Sequence, residues 1–324
     1  MIVEMRVPMP MTLDEFDKGW LYMAMKASEE ASEEGDSGVV ILKNEPYDNT
    51  DGHLGTSEKS GNLIPKNKGQ YTLKQYFLGS KLPGWLTYIL PRDSMYLTEE
   101  SWNAFPECLT ILTSNYMSHK KTRIFVKTSF RMHDNGKLDN PHGLTAEELK
   151  ERVVHTLDIS AQDKNDKDYK AKYDPSLVRC EKAGRGPLKQ GWIDAYQGPS
   201  KAETSVGVDE KKKNGNDTDG KGPAPLPMMT AYKLIRADFK VWGLQTKTEN
   251  TIINSQLKLF LRTHGQAFCT LDDYQSLSME DIRKLEAEAK EKLETLRGIK
   301  MSSKKKSRKS SKMDQNLAKV PATT

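Results

Sequence analysis

From Met228 to Val241 the chain alternates so regularly that an extended strand is the fitting reading. Lys233, Ile235, Ala237, Phe239 and Val241 share one face, while Tyr232, Leu234, Arg236, Asp238 and Lys240 share the other. A strand with an apolar face has to be covered, so the chain must build a sheet with another layer packed against it. One residue breaks the pattern: Lys233 sits on the apolar face. A buried ammonium without a partner is costly.

The elements around this strand come as strands first and long helices last. Met1 to Pro10 reads as a strand that leads into the capping box Thr12-Leu13-Asp14-Glu15. A helix follows with Phe16, Leu21 and Met25 inward, and Glu33-Glu34-Gly35 ends it. Val39 to Leu42 is a second strand, Asn49 to Lys68 a polar loop that looks inserted, and Gly69 to Leu78 a third strand. Strand signals recur at Cys108 to Thr113 and Arg123 to Phe130, and the capping box Thr145-Ala146-Glu147-Glu148 opens a helix predicted to run toward His155. Two long helices close the chain. Thr246 to Phe268 carries Ile252, Ile253, Leu257, Phe260 and Leu261 on its apolar face, and Ser278 to Arg297, capped by Ser278 and Asp281, carries Ile282, Leu285, Leu293 and Leu296. The pattern is α+β with a mixed, mainly antiparallel sheet.

Charge is distributed unevenly. Residues 299–324 hold eight basic side chains against one acid, so removing this +7 from the net +5 leaves the remaining chain at −2. A basic nucleic-acid-binding surface is therefore not expected. The tail 299–324 and the loop 197–225 have too few large apolar side chains to order themselves and are expected to be disordered. No apolar run approaches the roughly 20 residues that cross a bilayer, and Glu4 and Arg6 spoil a signal-peptide reading, so the chain is expected in the cytoplasm. Cys108, Cys180 and Cys269 show no C-x-x-C spacing, which suits a reducing compartment without disulfides.

Catalytic and metal motifs find little support. The six histidines form no H-E-x-x-H, there is no G-x-S-x-G or Walker-type loop, and Gly184-Arg185-Gly186-Pro187 lacks the context of a dinucleotide fingerprint. Two other features are open to a functional reading. Thr72 and Lys74 point the same way on their strand and could seat a phosphate or a polyol, although an ordinary edge-strand lysine looks the same. Leu82 to Pro91, with Trp85 and Leu86, is either a short buried helix or a loop that touches a membrane, and Trp242 is a second residue of that kind.

Seven islands then fall in one order: Asn44-Glu45-Pro46-Tyr47, Gly69-Gln70-Tyr71-Thr72-x-Lys74, Trp102-Asn103-Ala104-Phe105-Pro106, Gly184-Arg185-Gly186-Pro187-Leu188, Ala231-Tyr232-Lys233-Leu234, Trp242-Gly243-Leu244-Gln245 and Met279-Glu280-Asp281-Ile282-Arg283. On these the chain resembles the class I phosphatidylinositol transfer proteins along nearly its whole length. The resemblance implies a START-like helix-grip fold, in which a long curved antiparallel sheet and long C-terminal helices enclose a lipid-binding tunnel. The domain would cover residues 1–298, with inserted loops at about 49–68 and 197–225, followed by the basic tail 299–324. It also implies a non-catalytic carrier with no cofactor, whose cargo is one phospholipid.

Matched residue by residue, the resemblance implies that Thr72, Lys74, Asn103 and Glu286 hold the inositol ring. On its own Glu286 reads as a surface glutamate beside Leu285. Thr110, Ser129 and Lys233 would hold the phosphate, Ser129 standing for a Thr, and Trp85, Leu86 and Trp242 would touch the membrane. Four positions depart from the family pattern. Trp20 stands for a Gln near the phosphate, Val241 for the first residue of a Trp pair, Cys180 for a Ser, and Thr263 for a Phe near the acyl chains. The partners implied are phosphatidylinositol, with phosphatidylcholine as a second cargo, and a transient membrane surface, with the protein acting as a monomer. Lys304, Lys305, Lys306, Arg308 and Lys309 could add contact with anionic lipid, with nuclear targeting or plain solvation as rivals. A module that presents lipid to a lipid kinase without net transfer is the alternative for the whole chain.

Overall fold

The computed structural model describes residues 1–33, 39–77, 96–115, 122–196, 226–239, 243, 245–289 and 291. Its strands are β1 (Ile2–Met9), β2 (Val39–Asp48), β3 (Lys68–Phe77), β4 (Tyr96–Ala104), β5 (Glu107–Ser114), β6 (Thr122–Met132), β7 (Arg152–Thr156) and β8 (Met229–Phe239). The helices are α1 (Leu13–Glu33), α2 (Ala146–Glu151), α3 (Gln245–Cys269), α4 (Leu271–Tyr274) and α5, residues 279–289. The strands form one open sheet in the order β2-β3-β4-β5-β6-β8-β1-β7. Only β7 pairs in parallel, against β1; the other neighbours are antiparallel. This is the α+β helix-grip arrangement that the sequence implied.

The strand from Met228 lies between β6 and β1, and β8 is buried at every residue but Arg236 and Asp238. Its inner face meets α3, where Ile253 and Phe260 pack on Val3, Met5, Ile124, Val126 and Ile235. Its outer face is buried too. The Tyr232 hydroxyl bonds to Asp134 and accepts from the Leu138 backbone, so the segment after β6 folds back over the sheet. Nearby, the carboxylate of Glu4, fully buried, accepts from Arg6 at 2.7 Å and Arg152 at 2.9 Å. Both faces of β8 are thus enclosed, where alternation alone required only one.

Three local readings need correction. The helix opened by Thr145 keeps its capping box but stops at Glu151, because Val153, Val154 and Thr156 are β-branched and extend β7 along β1. The second strand runs on to Asp48, and β4 occupies a stretch in which the sequence reading marked only the Trp102-Asn103 motif. The polar loop at 49–67, for its part, is a folded cover. Asn49 donates to the carbonyls of Ile64 and Pro65 and accepts from the Leu54 amide, while Ser57 bonds both oxygens of buried Glu100 on β4.

The start of α1 is fixed from two sides. Thr12 and Glu15 form the expected capping box, with Glu15 N–H donating to Thr12 Oγ1 at 3.2 Å and Thr12 N–H to Glu15 Oε2 at 2.7 Å. Arg185, from the Gly-Arg-Gly-Pro run, grips the same carboxylate with both terminal nitrogens, at 2.7 and 2.9 Å, and reaches the Pro10 carbonyl. Gly186 makes this turn possible, since it holds φ at +76° and a Cβ there would lie 2.6 Å from the Val178 carbonyl oxygen. The motif that looked like a failed nucleotide fingerprint is thus a structural clasp.

Removing the clasp should destabilise the fold, because Glu15 would keep a nearly buried carboxylate without its cation. Arg185→Ala is expected to lower unfolding free energy by about 2–3 kcal/mol in urea titration at pH 7, with Arg185→Lys recovering only part of it. Midpoints within experimental error of the parent for both variants would show that the clasp does not hold α1.

Candidate functional site

Register decides which side chains share the inner face. Lys233 lies opposite Thr128 on β6 and Met5 on β1, and Thr128 lies opposite Cys108, which lies opposite Asn103. One residue pair along, Ile235, Val126, Thr110, Ser101 and Thr72 form the next row. The row beyond contains Ala237, Ile124, Leu112, Glu99 and Lys74. Paired residues point to the same side, so five of the expected headgroup residues, Thr72, Lys74, Asn103, Thr110 and Lys233, lie on one wall. The wall is graded. It is polar along β3, β4 and β5 and becomes apolar toward β8 and β1.

The polar part is already cross-linked. Ser101 Oγ lies 2.9 Å from Thr110 Oγ1 and 3.5 Å from Cys108 Sγ. Lys74 Nζ pairs with Glu99 at 3.5 Å; burial works against the ammonium, but the carboxylate prevails and its pKa is raised. Burial raises the Cys108 thiol, which keeps it protonated and inert. Gly69 on β3 brings Asn103 into place, because a Cβ at that position would lie 2.0 Å from the Asn103 carbonyl oxygen.

Lys233 sits differently. Its side chain is 3% exposed, and Nζ lies 4.6 Å from the ring centre of Phe260, 5.2 Å from Trp20 and 5.7 Å from Phe130. Among the described residues no carboxylate pairs with it and no oxygen accepts from it, and burial pushes its pKa down to about 8. The three aromatic faces offset part of that burial. Beside it, His264 is fully buried; its Nδ1 donates to the Phe260 carbonyl at 2.8 Å, which leaves Nε2 as a bare acceptor without a partner. Burial, then the Lys233 charge, hold this imidazole neutral.

Two expected residues lie elsewhere. Ser129 points to the opposite face, where its hydroxyl donates to Glu107 at 2.8 Å. Side chains alternate along β6, so Thr128 rather than Ser129 shares the face of Lys233. Glu286 is on α5, where it accepts from Arg283 at 2.7 Å and lies close enough to Asp17 on α1 to add to that group's raised pKa, whose leading cause is burial. No described contact joins Glu286 to Thr72, Lys74 or Asn103. Trp85, Leu86, Trp242, the loop 197–225 and the tail cations Lys304, Lys305, Lys306, Arg308 and Lys309 lie outside the described residues. Sequence reasoning passed over Glu99, Ser101, Thr128 and His264. The first three were legible from the two-residue phase they share with Asn103 and Val126, whereas His264 carried no signal beyond its place on an apolar helix.

Among the described residues no group of His, Cys, Asp and Glu could hold a metal. A wall graded from polar to apolar, closed by helices and ending at an unpaired buried cation, has the features of a container for an amphiphilic anion. The family model for phosphatidylinositol transfer proteins matches residues 1–291. Phosphatidylinositol transfer protein 1 of Dictyostelium discoideum is 36% identical over 294 residues, covering 90% of this chain and 94% of its own. The human phosphatidylinositol transfer protein beta isoform is 37% identical over 299 residues, covering 92% and 94%. The Drosophila melanogaster protein retinal degeneration B is 36% identical over 287 residues, 88% of this chain but 20% of its own much longer one. The chain belongs to the phosphatidylinositol transfer protein family.

The lipid-free protein should carry a measurable penalty at Lys233. Holding its ammonium at about 8 instead of 10.5 corresponds to about 3 kcal/mol at pH 7. Lys233→Met should therefore stabilise the empty protein by about 2–3 kcal/mol in urea titration at pH 7. Between pH 8 and 10.5 the unfolded chain holds the proton and the folded one does not, so parental stability rises with pH there and the variant's advantage shrinks. A variant less stable than the parent at pH 7 would refute the assignment of an uncompensated charge.

Proposed function

We propose that this chain binds one phosphatidylinositol molecule and carries it between membranes without changing it chemically. The observation that carries this reading is the wall itself: hydroxyl, amide, carboxylate and ammonium groups face inward across β3 to β5, and beyond them Lys233 has no ion pair among the described residues. A ring bearing several hydroxyls needs buried donors and acceptors together, and a phosphate needs a cation. Relatives named for transfer favour carriage over presentation to a kinase. In this reading Thr72, Lys74 and Asn103 hold the inositol ring, with Glu99 and Ser101 completing that end of the wall. Glu286 belongs to the set by family resemblance alone. Thr110, Thr128 and Lys233 hold the phosphate, with Thr128 in the role first given to Ser129.

Extraction from a bilayer is offset by enclosing the acyl chains, at about 0.8 kcal/mol per buried CH₂. Selectivity then rests with the headgroup. Phosphatidylcholine presents the same phosphate to Lys233, so we propose it as a second cargo, with Trp20 at 5.2 Å from the ammonium forming part of the wall its headgroup would meet. Among the described residues no helix is long and apolar enough to cross a membrane. Membrane contact is therefore assigned to peripheral docking through Trp85, Leu86 and Trp242, with the tail cations as an added anionic-lipid contact.

The test is transfer of labelled lipid between vesicles, with inositol and choline lipids assayed in parallel. Thr72→Ala, Lys74→Ala, Asn103→Ala and Glu286→Ala should each weaken phosphatidylinositol binding by about 1–3 kcal/mol and spare phosphatidylcholine. Lys233→Met and Thr128→Val should depress both lipids, whereas Ser129→Ala should leave both near the parental rate. Equal losses for the two lipids in the first four variants would overturn the headgroup assignment. Affinity for either lipid should be flat below about pH 8 and fall above it, as unliganded Lys233 loses its proton. An affinity that is constant through pH 9 would remove Lys233 from the phosphate set.

A further inference from the structure

The outer face of the sheet has a groove of its own. It measures about 460 Å³ and lies between the cover formed by residues 49–67, which contributes Asn62, and the segment at His142 to Glu148. Its floor is β6 and β8, with Phe125 and Leu234 between the cations Arg123, Lys127 and Arg236. The volume falls within the range of small-molecule sites.

The charges in the groove are not balanced. Arg236 is held by Glu148 at 2.6 Å, and Glu148 is itself fixed by the α2 capping box; Arg123 faces Asp238 at 3.7 Å. Among the described residues Lys127 has no ion pair and no hydrogen bond. His142, which also lines the groove, is 8% exposed, and neither ring nitrogen has a partner among the described residues. Burial first, then the charges of Lys127, Arg131, Arg152 and Arg6, push its pKa down to about 4. A buried, unpartnered imidazole next to an unpaired ammonium is an arrangement that an anion completes: the anion takes the Lys127 charge and gives an imidazole N–H an acceptor.

We infer that this groove is a second binding site, on the face opposite the lipid wall, for a phosphate group carried on a ring or short chain that lies over Phe125 and Leu234. A phosphomonoester fits better than bare phosphate, because the floor between the cations is apolar. The phosphate could come from a soluble organic phosphate or from a phosphomonoester lipid headgroup, and the two are separated by experiment.

The lipid-loaded full-length protein is titrated with inorganic phosphate and with phenyl phosphate, against chloride at equal ionic strength, while the His142 ring and Lys127 ammonium signals are followed by NMR. Both phosphates should give saturable shifts that chloride does not, phenyl phosphate should bind several-fold tighter, and Lys127→Gln should weaken both at least tenfold while leaving phosphatidylinositol transfer unchanged. Vesicles of phosphatidylcholine with and without phosphatidic acid form the second arm. Selective loss of phosphatidic acid vesicle binding in Lys127→Gln supports a membrane headgroup as the source, and undiminished vesicle binding beside weakened phenyl phosphate binding supports a soluble one. Shifts that do not saturate, that chloride reproduces, or that Lys127→Gln leaves intact would overturn the site.

Discussion

The burial of one ammonium organises this molecule. Lys233 is held where β8, α1 and α3 converge, facing Trp20, Phe130 and Phe260, with no anion among the described residues to balance it. Aromatic faces attract a cation but do not replace a counterion, and the depressed pKa records the remaining deficit. A fold optimised only for stability would put methionine or leucine there. Retaining lysine makes sense when an anionic ligand spends much of its time in place, since a ligand bound only to the folded state adds its own binding energy to stability.

The rest of the structure keeps that position closed and in register. The pairing from β3 to β8 sets which residues look inward, and a slip by one residue would turn Thr72, Asn103, Thr110 and Lys233 outward together. Trp20 reaches Lys233 only because α1 starts where it does. The Thr12 and Glu15 cap and the two-pronged Arg185 contact fix that start. Three residues with no direct part in the wall thus determine what one of its aromatic members can touch.

Much of this was legible in the sequence, for reasons that also mark the limits. Alternation in Met228 to Val241 exposed both the central strand and its misplaced lysine, because a period of two is a strong local signal. The capping boxes at Thr12 and Thr145 marked both helix starts correctly. The end of the second helix was only partly local information: Val153, Val154 and Thr156 favour extension, but they form a strand because β1 offers an edge about 150 residues away in sequence. Ser129 was matched to the phosphate by family resemblance, and the phase of β6 turns it to the face opposite Lys233. Glu286 shows the opposite limit, since its neighbours in sequence place it on a helix but cannot say which wall that helix faces.

The two faces of the sheet show how one framework can separate two electrostatic tasks. Along β6 the inward residues Val126, Thr128 and Phe130 serve the wall, while Arg123, Phe125 and Lys127 turn outward to the groove beneath the covers. On β8, Lys233 and Ile235 look in and Leu234 and Arg236 look out. Adjacent residues therefore point away from each other with a sheet between them, so charge can be added on one side with little effect on contacts on the other. The covers at 49–67 and 133–151 keep the outer face from being a bare, solvated surface, and the gap between them is what makes a groove there. Both faces present a lysine without a counterion among the described residues, Lys233 among aromatic rings and Lys127 beside an unpartnered imidazole. The first is enclosed deeply enough for its pKa to fall, so its anion must arrive with apolar chains that can fill the interior; the second stands in an open groove, where a small polar phosphate can come and go.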